Sequence, residues 1–322
     1  MSRGNGLKII SGNSHPEFAR KICSELGVPL ADVKSFKFSD GETGLRFNES
    51  VRGSDVFIIQ PTCSPTNENI MNLLIMADAV KRASAHYVNA VIPYFGYCRQ
   101  DRKAKPREPI TAKLVANLLA HGGVDRVITA DLHAGQIQGF FDIPVDHLTA
   151  MNLFAGYFKE FLADDLKAGN VVVVSPDTGG VARARKFAVK LNNVDIAIVD
   201  KRRSHDVANK SEVMDIVGNI KGRTAILVDD IIDTAGTICH AADGLMERGS
   251  KRVFACATHA VLSGDALENI GKSAIERLIF SDTIPLPPEK KTDKILQLSI
   301  APAFAEAIKR VHSEEPISAM FE

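Results

Sequence analysis

The sequence predicts an α/β protein of two domains, each built on a mainly parallel central sheet. Three observations carry this expectation. Short apolar runs at residues 55–60, 87–93, 171–174 and 225–228 read as strands buried on both faces. Polar loops and amphipathic stretches separate them, so parallel βαβ units are the economical connection. Acids and glycines gather just after these runs, where open α/β sheets place their ligands. A chain of 322 residues also has the length of about two domains. Strand, helix, strand, polar loop and strand recur in both halves, with residues 55–131 loosely echoing residues 171–230.

Taken in order, Leu7–Ser11 reads as a strand and residues 14–26 as a helix capped by Ser14. Residues 33–49 alternate like a β-hairpin, with Asp40-Gly41-Glu42 at the turn. After the strand at 55–60, residues 67–84 place Ile70, Leu73, Leu74, Ala77 and Val80 at helical spacing. The strand at 87–93 leads into Tyr94-Phe95-Gly96-Tyr97-Cys98-Arg99-Gln100-Asp101-Arg102-Lys103, then a helix over Thr111–His121. Aromatics beside Arg99 and Arg102 suit a purine ring attached to phosphates, and a solvated charged loop is the plainer alternative. The strand at 125–130 delivers Asp131-Leu132-His133 to its C-terminal end.

The second half begins near Thr149. Its strand of four valines is followed by Ser175-Pro176-Asp177-Thr178-Gly179-Gly180 and a helix carrying Arg183 and Arg185. Glycines there allow close backbone approach to a pyrophosphate, and Asp177 sits where a metal ion on it could be held. A strand at 195–199 gives way to a polar run over residues 200–210, read as a mobile loop or a charged connection. Strands follow at Val213–Val217, 225–228, 252–258 and 294–299, with a last helix at 301–311.

The densest chemistry lies in TAILVDDIIDTAGT, residues 224–237. Asp229 and Asp230 end an apolar run and could grip vicinal sugar hydroxyls, or a metal bound to them. Asp233-Thr234-Ala235-Gly236-Thr237 then turns into a helix whose N-terminus offers N–H groups and a favourable dipole to a phosphate. The arrangement suits a ribose 5-phosphate group. An ordinary turn with Asp233 or Thr234 as helix cap is the plain alternative.

Bulk properties narrow the classes. Hydrophobic content of 45% and charged content of 24% are those of a globular chain. Lys+Arg and Asp+Glu are both 39, and zero net charge argues against broad nucleic-acid binding. Cys23, Cys63, Cys98, Cys239 and Cys256 have no metal-ligand spacing and are expected reduced and mostly buried. No apolar stretch approaches the roughly 18 residues that span a bilayer. The expected location is the cytoplasm.

Together, FSDGE (38–42), VRGSDVFIIQ (51–60), YFGYCRQDRK (94–103), DLHAGQIQGFFDIPVD (131–146), VVVVSPDTGG (171–180), DKRR (200–203) and LVDDIIDTAGT (227–237) resemble the class I ribose-phosphate pyrophosphokinases over essentially the whole chain. The resemblance implies two phosphoribosyltransferase-like, Rossmann-like domains. Their expected extents are residues 1–148, joined by the tail at about 300–322, and residues 149–299. It implies the reaction of ribose 5-phosphate with ATP to 5-phosphoribosyl 1-diphosphate and AMP, with Mg2+ as cofactor. Phe38, Asp40, Gly41 and Glu42 match the family hairpin that reaches the ATP base from a neighbouring subunit. Arg99, Gln100 and Asp101 match residues around ATP, and His133 and Asp177 match the magnesium-site positions. Lys201 and Arg203 match the catalytic basic pair, with Arg203 also near the sugar phosphate. Asp229, Asp230, Asp233, Thr234, Ala235, Gly236 and Thr237 match the ribose 5-phosphate site. A homohexamer, activation by phosphate and inhibition by ADP complete what the family implies, with no nucleic-acid or membrane partner.

Two other readings use parts of the same pattern. A phosphoribosyltransferase consuming the activated sugar shares the loop at 229–237 but has no need of FSDGE and CRQDRK. A non-catalytic regulatory paralogue would be expected to lose the basic pair or the acids, all of which are retained here.

Overall fold

Leu7–Ser11 forms the first strand, β1, in the computed structural model, which describes residues 6–202 and 213–320. Helix α1 (Pro16–Leu26) follows. Its expected cap, Ser14, is used elsewhere: the hydroxyl lies 2.8 Å from Gln60 Oε1 and 2.7 Å from the Pro61 carbonyl oxygen. His15 caps instead, because Pro16 fixes the first helical turn and the His15 Nδ1 accepts from Phe18 N at 3.4 Å. Strands β2 (Val33–Lys37) and β3 (Thr43–Phe47) pair as an antiparallel hairpin in a sheet of their own. Gly44 lies under the Phe36 ring, where a Cβ would meet ring carbon at 2.3 Å.

Strand β4 (Asp55–Ile59) is buried throughout, as its run of β-branched and aromatic residues requires. Helix α2 (Thr66–Arg82), β5 (Tyr87–Ile92), α3 (Thr111–His121), β6 (Arg126–Ala130) and β7 (Val145–Leu148) continue the pattern. The sheet runs β1-β4-β5-β6-β7, parallel at every pairing.

The next elements are α4 (Met151–Phe161), α5 (Ala163–Lys167), β8 (Val171–Ser175), α6 (Val181–Lys190), β9 (Asp195–Arg202), β10 (Val213–Val217) and β11 (Thr224–Ile232). Then come α7 (Gly236–Glu247), β12 (Arg252–Ala260), α8 (Ala266–Lys272), β13 (Arg277–Ser281) and β14 (Ile295–Leu298). Their sheet runs β10-β9-β8-β11-β12-β13-β14, parallel except for β9 with β10. Its core includes Phe158, edge-on to Phe187 and Phe254, and the buried valines of β8. Helix α9 (Ala301–His312) closes the chain and sets Phe304 edge-on against Phe18 of α1, ring centroids 5.5 Å apart.

The chain thus divides into one unit of Met1–Thr149, Thr283–Pro285 and Ser299–Glu322, and another of Ala150–Asp282 and Leu286–Leu298. The internal echo has a different register from the one expected. Strand order matches β1-β4-β5-β6-β7 with β8-β11-β12-β13-β14, so residues 7–11, not 55–59, correspond to β8. The pair β2–β3 stands apart from its sheet, whereas β9–β10 extends its own, and that difference hid the match.

One consequence positions the site. From β8 the chain moves to β9 on one side, then returns to β11 on the other. The order reverses between β8 and β11, and such a switch point opens a crevice at the carboxyl ends of the strands. The five cysteines are buried thiols with no disulfide among them; burial pushes Cys23 and Cys63 up to about 11. No helix among the described residues is long and apolar enough to cross a membrane.

Candidate functional site

Strand β11 is longer than its apolar run. It continues to Ile232, so Asp229 and Asp230 lie within the strand rather than after it. The extension is one-sided: pairing with β8 stops at Leu227–Val174, while pairing with β12 continues to Ile232–Ala260. The acids therefore stand past the end of β8, at the switch point. Arg183 of α6 makes the extension tolerable, its Nη1 2.8 Å from Asp229 Oδ1 and its Nη2 2.8 Å from Asp230 Oδ1.

Beyond β11, Ala235 takes a left-handed conformation, φ 62°, and precedes α7. Neither Asp233 nor Thr234 caps the helix; Ala235 occupies that position with no side-chain cap hydrogen bond. The Asp233 carboxylate accepts from the Ser263 hydroxyl, and the Thr234 carbonyl accepts from Asn269 Nδ2 at 2.9 Å. These contacts brace the turn from outside. The first N–H groups of α7, at Gly236 and Thr237, are thereby left without a capping side chain, the arrangement that receives a phosphate. Thr234 and Thr237 are exposed beside them.

After β8, Asp177 is exposed, and its Oδ1 accepts from Gly180 N at 2.8 Å. Ser175 donates to the Asp177 carbonyl at 2.6 Å, closing a tight turn into α6. This turn and the one at 233–237 follow neighbouring strands, so the same unit holds both.

In the other unit, Phe38–Glu42 forms the hairpin tip. Phe38 N donates to the Glu42 carbonyl at 2.9 Å, Glu42 N donates to Asp40 Oδ1 at 3.0 Å, and Gly41 supplies a φ of 92°. Phe38 is 51% exposed, packed edge-on against Phe36 alone among aromatic neighbours in the described residues. The loop after β5 corrects one expectation. Tyr94 and Phe95 are buried, with Phe95 edge-on to Phe141, so they offer no ring to a ligand. Arg99 and Gln100 are exposed and Asp101 is half-buried. Gln100 is anchored through its backbone to Tyr97 and Ala112. His133 is exposed just after β6, where Asp131 takes a φ of 35°.

Among the described residues, no group of three or more His, Cys, Asp or Glu side chains is placed to hold a metal ion. Lys201 lies on β9 opposite Met214 of β10. Arg203 and the rest of the polar run to Lys210 lie outside the described residues.

Residues 7–123 match the family model of the N-terminal domain of ribose phosphate pyrophosphokinase, and residues 204–322 that of the phosphoribosyl synthetase-associated domain. Ribose-phosphate pyrophosphokinase 1 of Streptococcus agalactiae serotype III is 58% identical over 322 residues, 100% of this chain and 98% of that one. The chain belongs to the ribose-phosphate pyrophosphokinase family. The ribose-phosphate pyrophosphokinase of Clostridium perfringens is 56% identical over 322 residues, 100% of this chain and 99% of that one. A crystal structure of phosphoribosylpyrophosphate synthetase from Mycobacterium smegmatis matches with a TM-score of 0.90 at 42% identity, covering 96% of this chain and 100% of that chain.

Within this ribose-phosphate pyrophosphokinase fold, the electrostatics centre on Asp229. Burial and the neighbouring Asp230 carboxyl push it from 3.8 up to about 7, against the pull of Arg183. The unfolded chain ionises this residue near the ordinary carboxylate value, the folded chain only near 7. Between those values the folded state holds the extra proton, so Asp229 costs stability as pH rises through the window. Asp229→Asn should therefore gain on the unaltered chain in urea midpoint between about pH 4 and about pH 7, then level off. A difference that does not change with pH would return Asp229 to the ordinary range.

Sequence reasoning noted Arg183 without a partner for it, and passed over Ser263 and Asn269. Their roles depend on contacts 46, 30 and 35 positions away, which no local pattern carries.

Proposed function

We propose that this family member transfers the diphosphoryl group of Mg-ATP to the 1-hydroxyl of ribose 5-phosphate, giving 5-phosphoribosyl 1-diphosphate and AMP. The observation that carries the reading is the crevice between β8 and β11, where paired acids precede an uncapped helix N-terminus. The N–H groups of Gly236 and Thr237, with the Thr234 and Thr237 hydroxyls, receive the 5-phosphate, on a turn that Asp233 holds through Ser263. Asp229 and Asp230 accept from the sugar hydroxyls. The anomeric hydroxyl then attacks the β-phosphorus in line as AMP departs, and catalysis is chiefly positioning and charge stabilisation. Lys201 and Arg203 neutralise charge on the transferred and leaving groups. Arg99, Gln100 and Asp101 contact the nucleotide.

The donor set fits magnesium carried by substrate. Mg2+ is commonly held by one or two protein carboxylates plus phosphate oxygens and water; the exposed Asp177 carboxylate is a donor of that kind, and the exposed His133 is the second position the family resemblance implies. When bound, the ion screens phosphate charge against the incoming hydroxyl.

The exposed apolar Phe38 beside Asp40 and Glu42 supports a hairpin that completes the ATP site of a neighbour in a homohexamer. Phosphate as activator, ADP as inhibitor and a cytoplasmic location belong to the same reading, on the family resemblance. A chain with Glu42→Ala mixed with one carrying Lys201→Ala should regain part of the activity each lacks. Absence of complementation after verified subunit exchange counts against the shared site.

The test of the reaction is formation of AMP from ATP by the purified chain, dependent on ribose 5-phosphate and with no nucleobase present. A nucleobase requirement would point to the consuming reaction instead. Thr237→Ala should mainly raise the Michaelis constant for ribose 5-phosphate, because its hydroxyl contact to the phosphate exists in ground and transition states alike, and Asp233→Ala should act in the same direction by releasing the turn from Ser263. One such contact is worth about 1–3 kcal/mol, or roughly a five- to hundred-fold change. Movement of the ATP constant with the ribose constant unchanged would reassign the loop.

A further inference from the structure

Neighbouring residues of a strand point to opposite faces, so two adjacent carboxylates do not ordinarily meet one partner. Here the ladder skips Asp230: the registered pairs on either side are Asp229–Ala257 and Ile231–His259. The Asp230 N–H donates to the Oδ1 of Asp229, at 2.8 Å. Here one guanidinium reaches both acids. Arg183 touches Asp229 Oδ1 through Nη1 and Asp230 Oδ1 through Nη2, each at 2.8 Å. The side chains of Arg183, Asp229 and Asp230 are only 21%, 23% and 5% exposed.

We propose that Arg183 is the positioning residue of the sugar site, fixing the spacing and aim at which Asp229 and Asp230 meet a vicinal diol. The inference rests on the ribose 5-phosphate reading given above. A guanidinium is a rigid planar fork whose two terminal nitrogens sit at a fixed separation, and it transfers that separation to the carboxylates. An ammonium is a point charge on a flexible stem and cannot hold two acids at a set distance. Arg183 also rises from the first turn of α6, directly after the turn at Asp177. It therefore links the turn that follows β8 to the acids within β11 at the switch point.

The test compares Arg183→Lys and Arg183→Gln with the unaltered chain, by calorimetric binding of ribose 5-phosphate and by steady-state kinetics. Circular dichroism establishes folding. Both variants should weaken ribose 5-phosphate binding by roughly ten- to hundred-fold and leave the ATP Michaelis constant within about two-fold. Failure of lysine to restore binding separates placement from charge. Because losing the cation can destabilise a buried acid pair, Arg183→Gln is also made with Asp229→Asn, which removes the stranded charge. If Arg183 acts through the acids, this double variant binds the sugar no worse than the poorer single variant. Unchanged binding in a folded variant, full rescue by lysine, or multiplicative losses in the double variant would each overturn the inference. If the unaltered chain forms AMP while those results appear, this inference alone falls. If it neither forms AMP nor binds ribose 5-phosphate, the functional reading falls and takes the inference with it.

Discussion

Replacing Lys201 by alanine is expected to lower the turnover number by about a hundred- to a thousand-fold, while ATP and ribose 5-phosphate binding change by only a few-fold. The expectation starts from the sheet. Strand β9 pairs with β8 as far as Ile198–Ser175, then runs on to Arg202 paired only with β10. Lys201 is thus three residues beyond the end of β8, about 10 Å at the usual rise of an extended strand. It belongs to a two-stranded arm at the carboxyl end of the sheet, the end that carries the Asp177 turn and the acids of β11. A cation there gains most when polyphosphate charge redistributes during transfer, so its contribution is larger in the transition state than in the ground state. A loss of that size is about 3–4 kcal/mol of barrier. Arg203→Ala should behave similarly, and the double variant should lose less than the sum if both cations act together. Near-normal turnover in Lys201→Ala would make this arm an ordinary surface feature.

The second large effect is on stability. Phe254→Ala should destabilise its unit by about 3–5 kcal/mol, the usual cost of removing a fully buried phenyl ring from a packed core. Phe254 lies near the start of β12, between β11 and β13, and is 1% exposed. Its ring packs edge-on to Phe161 at 5.4 Å and Phe158 at 6.3 Å, and the Arg252 guanidinium lies 4.8 Å above it. That ion is held by Glu276 through Arg252 Nη2 at 2.7 Å, so it cannot move in to fill the space without losing its partner. The denaturation midpoint should fall, with activity per folded molecule little changed at low temperature. A loss below about 1 kcal/mol would mean that the cavity collapses freely.

Much of this architecture was legible because buried parallel strands announce themselves. The valines of β8 and the apolar run of β4 can be satisfied only between two covered faces, and both are fully buried. Strands β7 and β13 were harder. VDHL is half polar and only partly buried, and RLIFS is a five-residue run that opens on a charged residue. The buried Tyr94 and Phe95 misled because exposure is a tertiary property. The backbone there is drawn inward by the Gly96 N–H donating to Thr62 Oγ1 at 2.7 Å, and a Cβ on Gly96 would strike the Thr62 carbonyl at 2.4 Å.

Around Asp229–Thr237 the chemistry of the side chains could be read from the sequence and their geometry could not. Two acids inside a strand are unfavourable by local preference, and they persist here because Arg183 meets them from another element. The uncapped start of α7 was similarly hidden, since Asp233 is itself a good capping residue. Its carboxylate is turned instead toward Ser263.

Phosphorus NMR of the purified chain with ATP, magnesium and ribose 5-phosphate tests the central claim most directly, because it follows the β-phosphorus itself. The account predicts that AMP and a diphosphate ester of the sugar appear together in equal amounts, with no increase in free phosphate above any supplied as activator. Appearance of ADP with free phosphate, or with a sugar carrying only one new phosphoryl group, would contradict it.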